Sequence, residues 1–566
     1  MERQEKGDGM RLSATSFRGA ATVLLAAVAS VLLASCGFMN SGPAADSYVG
    51  PMDENAAKKL DLSERLKPTT AAASPKVARA AVPEEGPITL TVEQAMLMAL
   101  EHNRSLSVAR INPNIAQTAE EEARAVFDPV LTLAYALEQN HVSPQETANV
   151  THGRSGASEL SAGLSQFLPT GTIVALDATA SHARTVASNY LNSSRAGLTV
   201  TQALLQGCGL EVNLVSVRQA RLDVLSTQYE LRGFAESLLA QTEETYWRDV
   251  LAQRRIVLYE DSLKLAEKQL AEAEQRVEVG ALAPTEVAAA KAEVALRREG
   301  LINARGALAT TRLTLLRLVN PPGAGLWNRP LVTASQPAVP AITLDPVDAH
   351  VELALRLRSD LNQARLGVQR NDLELVRTKD GLLPRMDLFV ALGRTGYANT
   401  FARANYIDFW EGNSYDASAG LSFEFPPLNR AGEAAHRRAT LTRQQSAEAL
   451  ANLEQLVQVD VRAAYIEVQR SREQVTATTA TRQYQEENLR VETEKFKEGK
   501  STSLLVAQVQ RDLLSAQIAE VVAVVNHMIS LVELYRLDGS LLIRAGIAAP
   551  GAEPVSVDPA VTAAGR

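Results

Sequence analysis

The chain has 566 residues and a formal net charge of −8, with 22% charged and only 5% aromatic residues. That length alone suggests three or four domains, but so few aromatics are thin for a large globular core. Abundant alanine suits long helices packed closely side by side. Basic residues are spread along the chain rather than gathered into a patch, so no nucleic-acid partner is expected.

Arg18 precedes an apolar run from Ala20 to Leu33 that is short for a membrane span but fits a secretory signal, with Met10 an alternative start. The run ends Leu33-Ala34-Ser35-Cys36-Gly37, the pattern of a bacterial lipobox, which makes Cys36 the lipidation site after removal of 1–35. Several acyl chains on one cysteine give stable anchoring where one would not. Gly37, rather than Asp, fits an outer-membrane destination. With Cys36 acylated, Cys208 is the only thiol left, so no intrachain disulfide forms.

Residues 36–87, rich in Ala, Pro, Ser and Thr, read as a flexible tether. The first repeat unit, 88–320, opens with Thr91 as N-cap and Gln94 in the capping-box position of a helix to about Ala125, weak at Pro113. A strand follows at Phe127–Leu137. Residues 158–168 and 172–183 alternate around Pro169-Thr170-Gly171 as a hairpin, and Ser194–Leu205 is a further strand. Gly207 and Gly209 turn the chain into a helix over 210–279, roughly 100 Å long at about 1.5 Å per residue. Gly280 can end that helix in the left-handed region, and Pro284 can open the next. The returning helix keeps a coiled-coil-like seam through Val287, Val294, Leu301, Leu308 and Leu315 up to Asn320.

A Pro-rich connector, 321–345, leads to a second unit, 346–545, with the same order. It has a helix over 346–381, strands at Leu383–Leu392 and Ala417–Phe425, and a helix of nearly seventy residues up to Gly499. A last helix ends near Gly539, and 546–566 read as a disordered tail. Lys495-x-x-x-Gly499 repeats Arg276-x-x-x-Gly280, and a fresh helix starts about three residues beyond each glycine. Two such reversals 219 residues apart indicate an internal duplication.

Chemistry is scarce. The seven histidines show no metal-ligand spacing, and Gly207-Cys208-Gly209 has Val212 where a dinucleotide fingerprint needs glycine. No catalytic residue, metal or cofactor is expected, and the chain does not read as an enzyme. No stretch after residue 36 reads as a membrane-spanning helix, whereas strands of about ten residues suit a tilted crossing. Sheet edges cannot stay unpaired in lipid, and four to six strands are too few for a pore, so copies must combine.

The order and duplicated spacing of five motifs resemble the TolC-like outer-membrane efflux proteins, lipoprotein-anchored subgroup, over about residues 88–545. The motifs are Phe127-Asp-Pro-Val-Leu, Thr201-Gln-Ala-Leu-Leu-Gln-Gly, Arg276–Val287, Leu421–Arg430 and Phe496–Gln508. The resemblance implies a mixed fold, all-α apart from membrane β. Long helical hairpins would form a periplasmic tunnel below a transmembrane β-barrel shared by a homotrimer with two internal repeats per chain. It also implies that Gly280, Ala281, Leu282, Gly499, Lys500 and Ser501 dock a periplasmic adaptor serving an inner-membrane pump. The tunnel constriction would fall at Glu286, Leu505 and Gln508. Three departures stand out. Residues 158–185 are extra, and an extracellular hairpin is the favoured reading, with added barrel strands the alternative. Ala203 replaces a motif proline. Leu505 and Gln508 replace acidic residues, and the arginine partner expected for Glu286 is Ser501, with Lys500 able to substitute. The rival reading is a lipid-anchored coiled-coil spacer of the cell envelope, which leaves the paired sets of strands unexplained.

Overall fold

The computed structural model describes residues 87–142, 153–184, 191–279, 283–322, 327, 330–340, 343–412, 414–548, 550, 551 and 555. Cys36, the signal segment and nearly all of the tether lie outside them, as do Gly280, Ala281 and Leu282. The elements in order are β1 (Ile88–Leu90), α1 (Val92–His102), α2 (Arg104–Ala109), α3 (Asn112–Arg124), β2 (Val130–Val142), β3 (Gly153–Phe167), β4 (Thr172–Arg184) and β5 (Leu191–Ala203). There follow α4 (Leu210–Asn213), α5 (Val215–Glu278), α6 (Pro284–Val319), β6 (Leu331–Thr333), α7 (Val347–Leu357), α8 (Ser359–Asp380) and β7 (Arg385–Ala398). The chain closes with a π-helical turn (Arg403–Ile407), α9 (Asp408–Glu411), β8 (Tyr415–Glu424), α10 (Arg430–Lys497), α11 (Ser503–Leu537) and α12 (Leu541–Arg544). These fall into two compact units. One comprises 119–220 with 370–443, and the other holds the remaining described residues.

The first unit is built on a six-stranded antiparallel sheet in the order β2-β3-β4-β5-β7-β8. Alternation sorts the side chains onto two unlike faces. One cross-strand row reads Leu131, Leu164, Leu176, Leu198, Leu392 and Ala417; the next row, on the opposite face, reads Thr132, Gly163, Asp177, Gly197, Gly393 and Asp416. The extra segment is therefore not a hairpin standing off the sheet. β3 pairs with β2 from Val130↔Ser165 to Val142↔Gly153, and β4 pairs with β5 from Thr172↔Gln202 to Ala183↔Leu191. The pattern of a free hairpin and of two inserted strands is the same, and only the partners on either side decide between them. The turn at Gly171 (φ +84°) packs so tightly that an added Cβ would collide with the Gly207 carbonyl oxygen. Asn213 fastens this turn, donating through Nδ2 to the carbonyls of Pro169, Gly207 and Gly209. Cys208 lies within the turn between β5 and α4, as its flanking glycines suggest.

The second unit is helical. Thr91 and Gln94 form the expected capping box, with Oγ1 accepting from the Gln94 amide at 3.3 Å and Oε1 from the Thr91 amide at 3.0 Å. The expected single helix to Ala125 is instead three. It breaks at Asn103 (φ −63°, ψ 124°), whose side chain accepts from the Leu106 amide and so starts α2. Pro113 sits in the first turn of α3, where its missing amide costs little. The helix expected over 346–381 breaks the same way at Arg358 (φ −61°, ψ 126°). β1 and β6, one of them inside the Pro-rich connector, pair in parallel from Ile88↔Leu331 to Leu90↔Thr333. They close a core with Met98, Tyr246, Trp247, Val250 and Leu315. A second core joins Val351, Leu361, Val457, Val461 and Val468 to Leu531 and Leu534. The chain beyond Arg544 is partly held rather than wholly loose. The Gly551 carbonyl accepts from Arg232 at 3.1 Å, and the Val555 amide donates to Asn362.

Contrary to the sequence expectation, one segment after residue 36, α11, has the length and hydropathy of a membrane-spanning helix. Its apolar character has another use, because Val506, Val509, Leu514, Ala523, Leu531 and Leu534 are buried within the bundle.

Candidate functional site

The two reversals set the first site. α10 ends at Lys497 and is closed by Gly499 (φ +73°), with the Lys500 amide bonded back to the Lys495 carbonyl at 2.8 Å, the six-to-one closure of a left-handed C-terminal turn. Thr502 then caps α11 by accepting from the Leu505 amide. At the matching reversal α5 ends at Glu278 and α6 starts on Pro284. At the second reversal Gly499 sets where the helix stops, and at the first Pro284 opens the returning helix.

Three contacts join the two hairpins near these ends. Arg276 lies over the Phe496 ring, 5.6 Å from its centroid. Ser503 donates its hydroxyl to Glu286, and Arg511 approaches Glu293 at 3.8 Å. They border a cleft of about 470 Å³ between the hairpins. Lys500 does not substitute for the missing arginine, since it pairs with exposed Glu498 at 2.7 Å. Ser501 is equally occupied, donating to Glu492, and that bond together with Lys495 at 3.1 Å holds the Glu492 carboxyl below its usual range. The sequence alone could not show Ser503 as the partner of Glu286, because the pairing depends on how one hairpin sits against the other.

Leu505 and Gln508 are exposed on one face of α11, and Asp512, one turn further along, is exposed beside them. The spacing of three and four residues puts all three in line. Its spacing of four from Gln508 is the sequence signal that marks Asp512.

The sheet supplies the second site. On its leucine face, Leu131, Leu133, Tyr135 and Leu137 of β2 and Leu421 and Phe423 of β8 are each more than half exposed. A single soluble domain rarely leaves so large an apolar surface open. The opposite face carries small and polar residues, with Arg195 pairing to Asp177 and, at 3.0 Å, to Asp416. Such a sheet is apolar where it is open and polar on the other side, the distribution expected of a wall between lipid and water.

Among the described residues no three His, Cys, Asp or Glu side chains gather as a metal site. The family model for outer membrane efflux proteins matches residues 96–320 and 350–540. The chain belongs to that family. Outer membrane efflux proteins are transporters rather than enzymes, and the mostly helical architecture with one antiparallel sheet is that of the TolC-like channels. No curated protein matches the sequence. Among solved structures, the outer-membrane channel OprN superposes with a TM-score of 0.60 at 17% identity, covering 79% of this chain and 89% of that one. The Campylobacter jejuni CmeC outer membrane channel gives 0.60 at 14% identity, with 84% and 88% covered. The outer membrane protein VceC from Vibrio cholerae gives 0.58 at 16% identity, with 79% and 96% covered. At these identities the likeness establishes the fold.

Proposed function

We propose that this efflux protein is the exit duct of a tripartite efflux or secretion system. Three copies share one β-barrel in the outer membrane, and their paired hairpins form a tunnel in the periplasm. A periplasmic adaptor docks at the hairpin ends around Gly280, Ala281, Leu282, Gly499, Lys500 and Ser501, and an inner-membrane pump delivers substrate. Cys36, acylated, adds a lipid anchor in the outer membrane. The observation that carries this reading is the exposed leucine face of the sheet, which suits a lipid environment across its whole width.

The duplicated architecture supports the two-repeat reading. Ala99, Asn103 and Leu106 in α1–α2 are answered by Ala354, Arg358 and Leu361 in α7–α8, with the same backbone break and the same amide-to-carbonyl closure onto the alanine. Leu505 and Gln508 are proposed to line the constriction, with Glu286 holding the neighbouring hairpin through Ser503.

Removing the lipid separates this reading from the coiled-coil spacer. Membranes carrying Cys36→Ser are washed with alkaline carbonate. The channel stays in the outer-membrane pellet because its sheet is embedded, whereas a spacer held by acyl chains alone is released into the supernatant.

A further inference from the structure

Among the described residues the sheet has an even number of strands, with β2 and β8 at its two edges. β2 runs from Val130 and β8 ends at Glu424, and alternation through six antiparallel strands leaves these two edges pointing in opposite directions. The β8 edge of one copy is therefore antiparallel to the β2 edge of the next. Both edges keep the same division of faces, with Leu131, Leu133 and Tyr135 on one and Tyr415, Leu421 and Phe423 on the other, all on the apolar side. In hydrocarbon the outward backbone groups of an edge strand must find partners.

β3 and β4 are integral to this wall. Arg195 on β5 reaches Asp177 on β4 to one side and Asp416 on β8 to the other, so a single guanidinium ties the inserted strands to the strands of the second repeat. Glycines make room for it. A Cβ at Gly197 would press on the Arg195 guanidinium at 2.8 Å, and one at Gly393 would collide with the Asp416 carboxylate. Thr172 donates to Gln202, Ser181 is bonded to Ser193, and His182 to Asn192, so the β4–β5 seam carries side-chain bonds from end to end.

We infer that this chain builds an eighteen-stranded barrel, six strands from each of three copies joined β8 to β2, with the inserted pair β3–β4 widening the wall. The inference rests on the trimeric channel proposed above. Barrel diameter grows roughly in proportion to strand number, so the wall is about one and a half times as wide as four strands per copy would give. Its inner face is mostly glycine, alanine and hydroxyl side chains, which leave that width open. The partner at each edge is a second copy of this chain.

Single-particle imaging of the complete purified protein in lipid nanodiscs tests this by counting strands. The expected result is eighteen strands about a threefold axis, with β3 and β4 of each chain between its own β2 and β5. A variant lacking 153–184 should keep threefold symmetry and show twelve strands and a narrower collar. A threefold barrel of twelve strands in the unmodified protein, with 153–184 outside the wall, overturns this inference and leaves the channel reading standing. Particles without threefold symmetry overturn the trimer itself, and this inference with it.

Discussion

Replacing Leu133 with arginine tests which face of the sheet meets lipid. Leu133 sits in the apolar run of β2, opposite Ala162 of β3, and is 69% exposed in a single chain. In water a charge at so open a position would change stability by no more than about 0.5 kcal/mol. Near the middle of a bilayer the same change costs about 2–4 kcal/mol, and three copies in one barrel bring that to roughly 6–12 kcal/mol per assembly. Ala134, the next residue, lies opposite Ser161 on the polar face, so Ala134→Arg should be nearly neutral. Urea titration of both variants in lipid vesicles, followed by loss of the detergent-resistant assembly, measures the difference. Equal midpoints for the two, or a lower midpoint for Ala134→Arg, would refute the assignment of faces.

Other consequences follow from the helical unit. Burial pushes the Glu236 carboxyl up to about 7 from 4.5, against the pull of Arg232 at 3.1 Å. Because the folded state binds this proton more tightly than the unfolded, its contribution is full below about pH 4.5 and is lost as pH rises to about 7. The contribution amounts to on the order of 3 kcal/mol. Glu236→Gln should flatten that part of the stability profile in thermal melts, and an unchanged slope would show that other groups set it. At the hairpin ends, Ala281→Asp or Leu282→Asp should abolish efflux by an assembled channel, since an unpaired charge in an apolar contact is costly. Efflux at the normal rate would remove the docking proposal. At the constriction, Leu505→Asp should introduce block of single-channel current by periplasmic divalent cations, adding three carboxylates in line with Asp512. Strong block before the substitution would mean that Asp512 already forms the ring.

What the sequence revealed depended on how local the determinant is. The Thr91–Gln94 capping box and the glycine reversal at Gly499 each arise within a few residues and are where the sequence places them, while the seam of α6 is buried at Val294, Leu301 and Leu315 and only half-buried at Val287 and Leu308. β1 and β6 were hidden because three-residue strands show no alternation and their partner lies over 240 residues away. The break at Arg358 was hidden because neither Gly nor Pro marks it. The fate of 158–185 was undecidable from its own residues, since alternation sets the faces of a strand but not its neighbours. Lys500 pairs with Glu498 while Ser503 meets Glu286, because tertiary placement rather than local spacing chooses the partner of Glu286.

Single-channel recording of the complete protein in planar bilayers tests most directly whether copies of this chain form a channel through the outer membrane. The unmodified protein should insert and give discrete conductance steps. A double variant, Arg276→Ala with Glu286→Ala, removes the contacts to Phe496 and Ser503 that hold the hairpins together, and its steps should be larger. Protein that inserts yet gives no steps in either form would contradict the account.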